Sequence, residues 1–189
     1  MFFARYDKAI IEPFALNVIA ASFNSEYLSY VQPKDTDNFD FISIDKEKAL
    51  EVTLAVPKDE MNIYIYEKEL TSGKKDLDSG KVNCLNWYEN GMPGTYYVSN
   101  CIQDIEKKIE TSLRVKEEKV IKRMSHTGVK KVDLCICIPD GSLYDMASFE
   151  LAFPELEKHI FENVFFITSS KFIRFNKTYG FEEYERKLS

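Results

Sequence analysis

The stretch NFDFISIDKEKALEVTL, residues 38–54, predicts two short β-strands joined by a charged turn. Strand-forming residues alternate or run together over residues 39–45 and again over residues 48–56. Consecutive strands with so short a connection pair as an antiparallel hairpin. The hairpin brings Asp40 and Glu51 onto neighbouring strands, and two interpretations stay open: a metal-binding catalytic edge, or a charged hairpin with no chemical role.

Elements with different periodicities surround this hairpin. Apolar residues three and four positions apart predict helices, and short runs of β-branched and aromatic residues predict strands. The predicted helices cover Pro13 to about Val31, about Ile102 to Met124, and a stretch broken near Pro154; the predicted strands cover residues 132–138, VFFITS and KFIRFN. This order predicts an α/β fold with a mixed central sheet flanked by helices.

Residues 57–100 have less regular patterns. The segment that follows residue 56 carries both helix and strand signals, and we favour a helix there. Residues 73–100 hold most of the glycines and the only Trp, and predict a hairpin-like insertion with turns at Ser79-Gly80 and Asn90-Gly91. We expect residues 1–189 to form a single domain that contains this insertion.

Composition limits the classes of function. The chain has 189 residues, 44% hydrophobic residues and a formal net charge of −6, which argue for a folded protein and against a general nucleic-acid coat. No apolar run approaches the roughly 20 residues needed to span a bilayer. The first residues lack a signal-peptide cleavage site. We therefore expect a cytoplasmic protein without a membrane segment.

The cysteines argue against a structural zinc site. Cys135 and Cys137 lie two positions apart in a predicted strand, which points both thiols to the same face and predicts buried free cysteines. His126 and His159 are far apart in sequence and have no second cysteine pair at ligand spacing.

Asp40 and Glu51 are suited to divalent-cation chemistry. Mg²⁺ prefers oxygen ligands and keeps several waters, so carboxylates from adjacent strands can share one ion. The ion makes a bound water more acidic and stabilises negative charge on a phosphodiester under attack. Glu51 also lies in an apolar strand, where an unpaired carboxylate is costly.

NFDF followed by ALEVTL resembles the signature of the PD-(D/E)XK nuclease superfamily, which has the restriction-endonuclease-like fold. The resemblance covers element order and spacing over most of the chain. It implies a nuclease in which Asp40 and Glu51 hold Mg²⁺ or Mn²⁺, with Glu26 on the first helix as an accessory ligand.

Thr53 departs from this signature, because it stands where the superfamily has a lysine. Threonine has neither the charge nor the reach of lysine. Some members supply the lysine from a neighbouring element, and here Lys107 and Lys108 on the long helix are the candidates, while Lys48 and Lys58 flank the strand. The other interpretation is a degenerate site on a fold that only binds.

The helix over residues 102–124 supplies a candidate nucleic-acid surface. Basic residues outnumber acidic ones from residue 103 to 131, although interspersed glutamates also suit surface ion pairs. Two functional hypotheses result: a metal-dependent nuclease acting on nucleic-acid phosphodiesters, or a catalytically inactive module that binds nucleic acid or a protein. An unrelated α/β scaffold would leave Asp40 and Glu51 apart.

Overall fold

A computed structural model describes most of the chain, in two compact units. It covers residues 7–34, 38–56, 85–89, 92–96, 101–138, 146–168 and 170–187, with the backbone alone for 85–89, 92–96 and 101–105. One unit comprises residues 1–55 and 109–189, and the other comprises residues 56–108. The expectation of a single domain stays a prediction.

The first unit is built on a six-stranded mixed sheet. Its strands are β1 (Phe41–Ile42), β2 (Lys48–Leu54), β5 (Lys131–Ile138), β6 (Asn163–Thr168), β7 (Phe172–Asn176) and β8 (Gly180–Tyr184), in the order β1-β2-β5-β6-β7-β8. β2, β5 and β6 are parallel, and the remaining neighbours are antiparallel. The α/β class with a mixed sheet is confirmed.

The parallel centre of the sheet explains its apolar strands. Seven of the eight residues of β5 are buried, and so is all of β6. Strands covered on both faces are apolar without alternation. Cys135 and Cys137 are buried free cysteines, as predicted.

The first helix differs from its prediction. α1 spans Lys8–Ser22, where Asp7 caps its N-terminus by accepting a hydrogen bond from the backbone of Ala9. A separate 3-10 helix follows over Ser25–Ser29, begun by the side chain of Asn24. The prediction of one continuous helix from Pro13 to about Val31 was therefore wrong. The side chain of Asn24 accepts a hydrogen bond from the backbone of Glu26, and such local bonds compete with continuation of a helix.

The hairpin of β1 and β2 is shorter than predicted. The backbone of Ser43 bonds Lys48, closing a turn in which Lys46 adopts a positive φ of 62°. Asp45 accepts hydrogen bonds from the hydroxyl of Ser43 and the backbone of Glu47. These polar contacts end β1 at Ile42.

The opposite faces of the sheet carry different helices. α1 packs on the face that holds Leu50, Val52 and Cys135. The long helix α2 (Cys101–Thr127) buries Ile109, Leu113 and Val120, and its side chains contact β2 on the other face. A short helix α3 (Met146–Ala152) and a 3-10 turn (Leu156–Lys158) precede β6.

The second unit contains the predicted hairpin. β3 (Leu85–Glu89) and β4 (Met92–Tyr96) are antiparallel, with Glu89 opposite Met92 on either side of residues 90 and 91. The helix predicted after residue 56 and the turn at residues 79–80 lie outside the described residues. α2 begins in this unit and continues into the first.

A buried polar network fixes the 3-10 helix to the sheet. The Tyr27 hydroxyl donates to Oδ2 of Asp133 on β5 at 2.6 Å. Oδ1 of Asp133 accepts from the backbone and the side-chain amide of Asn163 on β6 at 3.0 and 2.7 Å. Burial raises the pKa of Asp133, and these three donors oppose the rise. The network keeps a buried carboxyl group hydrogen-bonded at the start of the parallel strands.

We predict that Tyr27→Phe lowers the free energy of unfolding by about 1.5–3 kcal/mol, because it removes one donor from a buried carboxyl group. Urea denaturation monitored by circular dichroism measures the loss. Tyr179→Phe is the matched control, since Tyr179 is 71% exposed, and we expect a change below about 0.5 kcal/mol there. Equal effects of the two substitutions would contradict the role of the Tyr27 hydroxyl.

Candidate functional site

The hairpin register brings the two predicted carboxylates together. Phe41 pairs with Leu50, and continuing this antiparallel register by one residue puts Asp40 opposite Glu51. Directly opposed residues project their side chains to the same face of a sheet. Asp40 also accepts a hydrogen bond of 2.8 Å from the backbone of Val52, which fixes its carboxylate against β2. Asp40 and Glu51 therefore form a pair, as the sequence predicted.

Lys116 on α2 joins the two carboxylates. Its Nζ donates to Oδ2 of Asp40 at 3.3 Å and to Oε2 of Glu51. The Glu51 side chain is fully buried, while those of Asp40 and Lys116 are 11% and 15% exposed. One ammonium group thus lies at the meeting point of two largely desolvated carboxylates.

Arg123 contacts the other oxygen of Glu51. Its Nη1 donates to Oε1, and its guanidinium group lies over the ring of Phe39 at 5.8 Å from the centroid. Phe39 is buried directly before Asp40. Arg123 therefore orients Glu51 and also contacts the segment that carries Asp40.

Lys8 of α1 is the second cation that contacts Asp40, after Lys116. Nζ of Lys8 lies 3.0 Å from Glu12 and 3.6 Å from Oδ1 of Asp40. Glu12 is buried and accepts a hydrogen bond from the side chain of Gln32 at 3.0 Å. The Lys8 side chain is 74% exposed, so this cation reaches Asp40 from the solvent side.

The two carboxylates differ in acidity. Burial alone would raise the pKa of Asp40, but Lys116, the Val52 backbone N–H and Lys8 outweigh it and hold that pKa below its usual range. Burial raises the pKa of Glu51 above its usual range, against the opposing charge of Lys116. The ionised form of Glu51 therefore depends more on nearby cations than the ionised form of Asp40 does.

The structure does not bring Glu26 to this pair. Glu26 lies in the 3-10 helix, and its Oε1 accepts from Nζ of Lys48 at 2.9 Å. It lines a cavity on the α1 face of the sheet, whereas Glu51 projects to the α2 face. The predicted accessory ligand is thus separated from Asp40 and Glu51 by the sheet.

The lysine beside the carboxylates is not one of those proposed from sequence. Lys107 and Lys108 lie on α2 in the second unit, so their position relative to Asp40 stays a prediction. Thr53 is half-buried on β2, two residues after Glu51 and on its face. Lys116 reaches that face from α2 instead.

A sequence signal for Lys116 exists in the buried stripe of α2. Ile109, Leu113, Lys116, Val120 and Arg123 follow one another at intervals of four, three, four and three residues, which puts all five on one helix face. Basic residues within an otherwise apolar stripe indicate a buried acidic partner. Glu51, an acid within an apolar strand, is that partner.

A solvent-facing basic residue extends this side of α2. Lys119 is exposed, follows Lys116 by three residues and precedes Arg123 by four, so it lies beside both on the helix. Glu117 points elsewhere: it accepts from the backbone of Ile160 at 2.8 Å and lies 2.9 Å from His159. The α2 surface next to the pair is therefore basic.

Comparisons with known proteins do not assign the chain to a family. No family model, no curated protein and no solved structure matches it. In the described part of the chain, no three His, Cys, Asp or Glu side chains are grouped so as to hold a metal ion. None of the described helices is long and apolar enough to cross a membrane.

We predict that the stability lost in Asp40→Asn shrinks as the pH falls from about 6 to about 3. The pKa of Asp40 is lower in the folded chain than its ordinary value of 3.8, so its ionised form stabilises the fold above that value. This stabilisation is lost as the pH falls toward the folded pKa, because the unfolded chain takes up the proton first.

Urea denaturation of both proteins at several pH values measures this dependence. At neutral pH we expect Asp40→Asn to be less stable by about 1–3 kcal/mol. A stability difference that stays constant over the whole pH range would show that the charge of Asp40 does not stabilise the fold.

Proposed function

We propose that the protein is a divergent metal-dependent nuclease of the PD-(D/E)XK type, in which Lys116 on α2 replaces the lysine of the signature. The observation that carries this proposal is the contact of one ammonium group with both Asp40 and Glu51. An antiparallel hairpin with these acids, followed by a helix and a strand parallel to β2, supports a restriction-endonuclease-like core.

Asp40 and Glu51 fit a divalent cation. Their oxygens contact the same nitrogen, so a cation in place of that ammonium group would have a ligand from each side chain. Mg²⁺ is commonly held by one or two carboxylates, with water and substrate phosphate completing its coordination. The pair is therefore a sufficient set of protein ligands for Mg²⁺ or Mn²⁺.

A bound divalent cation would lower the pKa of a water molecule and stabilise charge on the scissile phosphate. Lys116, once released from the carboxylates, would hold the attacking water or neutralise the phosphate in the transition state. Arg123 would keep Glu51 in position through Oε1. Lys8 would meet a phosphate on the exposed side of Asp40.

The substrate class in this proposal is nucleic acid. Lys8 and Lys119 are exposed cations beside the pair, and counterion release makes such residues favourable for phosphate binding even on an acidic protein. The basic side of α2 in the described residues supports the nucleic-acid partner predicted for residues 102–124.

A catalytically inactive binding module is the second candidate. It is favoured by one observation: Lys116 and Arg123 already occupy both oxygens of the fully buried Glu51. In this candidate, the paired carboxylate of Glu51 serves to hold α2 on the sheet. The surface with Lys8 and Lys119 would then bind nucleic acid without cleaving it.

We predict that the protein binds one Mn²⁺ ion and that Asp40→Asn and Glu51→Gln each abolish this binding. Both substitutions preserve shape and remove one ligand charge. Calorimetric titration with Mn²⁺ at neutral pH, alone and with a short oligonucleotide, measures the binding. Glu47→Gln is the matched control, because Glu47 lies on the same hairpin, is exposed and pairs with Lys130.

Circular dichroism of each variant separates lost binding from lost folding, and Asp40→Asn carries the conclusion if Glu51→Gln does not fold. Binding lost in Asp40→Asn but kept in Glu47→Gln supports the nuclease. A wild-type protein that binds oligonucleotide but no Mn²⁺, in either titration, would favour the inactive module.

We predict opposite effects of Lys116→Met on metal binding and on cleavage. Removing the ammonium group frees both carboxylates, so the affinity for Mn²⁺ should rise by about tenfold or more. Losing the cation that faces the phosphate should slow oligonucleotide cleavage by about 10²–10³-fold. Lys130→Met, at an exposed ion pair with Glu47 just before β5 and β2, should change neither quantity. Unchanged cleavage in folded Lys116→Met would remove Lys116 from the mechanism.

A further inference from the structure

A small cavity lies on the sheet face opposite to Glu51. It has a volume of about 160 Å³ and is found where Lys48, Lys131 and Asn163 begin the three parallel strands. Its other wall is formed by the segment from the end of α1 to just past the 3-10 helix: Phe23, Asn24, Glu26, Tyr27 and Tyr30. The sheet separates this cavity from the Asp40–Glu51 pair, so it is independent of the proposed nuclease site.

Tyr30 supplies an unsatisfied polar group in this cavity. The residue is 7% exposed and lines the cavity, yet its hydroxyl makes no hydrogen bond with any residue that the structure describes. Its neighbour Tyr27, by contrast, donates to Asp133. Buried hydroxyl groups are normally paired, and leaving one unpaired is costly. Within the described residues, the Tyr30 hydroxyl therefore has an unused hydrogen bond to offer a ligand in the cavity.

The charges around Tyr30 indicate the sign of that partner. Burial raises the pKa of Tyr30, and the negative charges of Asp133, Glu26 and Asp45 raise it further. Asp133 accepts three hydrogen bonds, and a carboxylate offers about four acceptor positions. Asp133 therefore has one acceptor position left, and it lines the same cavity as Tyr30.

The rim of the cavity leaves an excess of negative charge. Lys48 pairs with Glu26 at 2.9 Å, and Lys131 pairs with Glu162 at 3.0 Å. Both pairs have side chains that are 40–56% exposed, so their partners can rearrange. With Asp133 ionised, the residues that line the cavity carry three carboxylates and two ammonium groups. A positively charged ligand with hydrogen-bond donors would correct this imbalance.

The aromatic wall favours an organic cation over a metal ion. Phe23 lines the cavity, and its ring already lies under the guanidinium group of Arg174 at 4.5 Å from the centroid. Aromatic rings attract such cations through their negative faces. Tyr27 and Tyr30 also line the cavity, so a bound cation would lie close to aromatic side chains.

We propose that this cavity binds a small organic cation with a primary ammonium or guanidinium head group. Its N–H groups donate to Asp133 and to the oxygen of Tyr30, and its charge lies against the aromatic wall. The volume of the cavity limits the ligand to a head group with a short alkyl chain.

Thermal unfolding with propylammonium chloride and with methylguanidinium chloride tests the proposal. A ligand that binds the folded state raises Tm. Once its concentration exceeds the dissociation constant, the rise grows with the logarithm of that concentration. Sodium chloride at the same ionic strength is the control for salt, and tetramethylammonium, which has no N–H donor, is the control for charge alone. The two organic ligands distinguish an ammonium site from a guanidinium site.

Tyr30→Phe is the decisive variant, because it removes no side-chain hydrogen bond among the residues that the structure describes and should fold as well as the wild type. We expect it to weaken ligand binding about three- to tenfold. Asp133→Asn should weaken binding by more than tenfold if it folds, and Tyr179→Phe, outside the cavity, should leave it unchanged. The proposal is overturned if neither ligand raises Tm beyond sodium chloride, if tetramethylammonium acts equally, or if Tyr30→Phe binds as the wild type does.

Discussion

The burial of the Glu51 carboxylate is the constraint on which the rest of this structure depends. Glu51 lies within β2 with a fully buried side chain, and taking a carboxylate out of water costs several kcal/mol unless it is paired. Lys116 and Arg123, one on each oxygen, supply that pairing from α2. Because the two cations are seven residues apart, α2 can neither slide nor rotate on the sheet without leaving a buried charge unpaired. Lys116 also donates to Asp40, so the same position of α2 determines which cation lies beside that carboxylate.

The two faces of the sheet satisfy a buried acid in different ways. On the α2 face, Glu51 has two cationic partners, Lys116 and Arg123, whose charges compensate its own. On the α1 face, Asp133 has hydroxyl and amide donors from Tyr27 and Asn163. Neutral donors satisfy the acceptor atoms of Asp133 without adding a compensating charge. This difference follows from the donors, not from the acids.

Much of the fold could be predicted because the spacing of apolar residues along the chain indicates where the helices and strands lie. α2, β5 and β6 have long apolar patterns, and the observed bounds agree with the predicted ones to within a few residues. The end of α1 was missed because Asn24 interrupts the helix although the apolar spacing continues to Val31. β8 was missed as well, because its half-exposed, acidic sequence lacks the apolar run of a central strand. Capping and edge position are weaker signals than periodicity.

The sequence by itself determined that Asp40 and Glu51 lie on neighbouring strands of one hairpin, because a short turn connects two strand-forming segments. Only the tertiary structure decided which cations meet them. Lys116 has the spacing of the buried stripe of α2, unlike Lys107 and Lys108, but this spacing does not say which part of the helix crosses β2. That choice depends on how the buried stripe of α2 packs on the sheet as a whole, since burial of apolar side chains and pairing of Glu51 must be satisfied together.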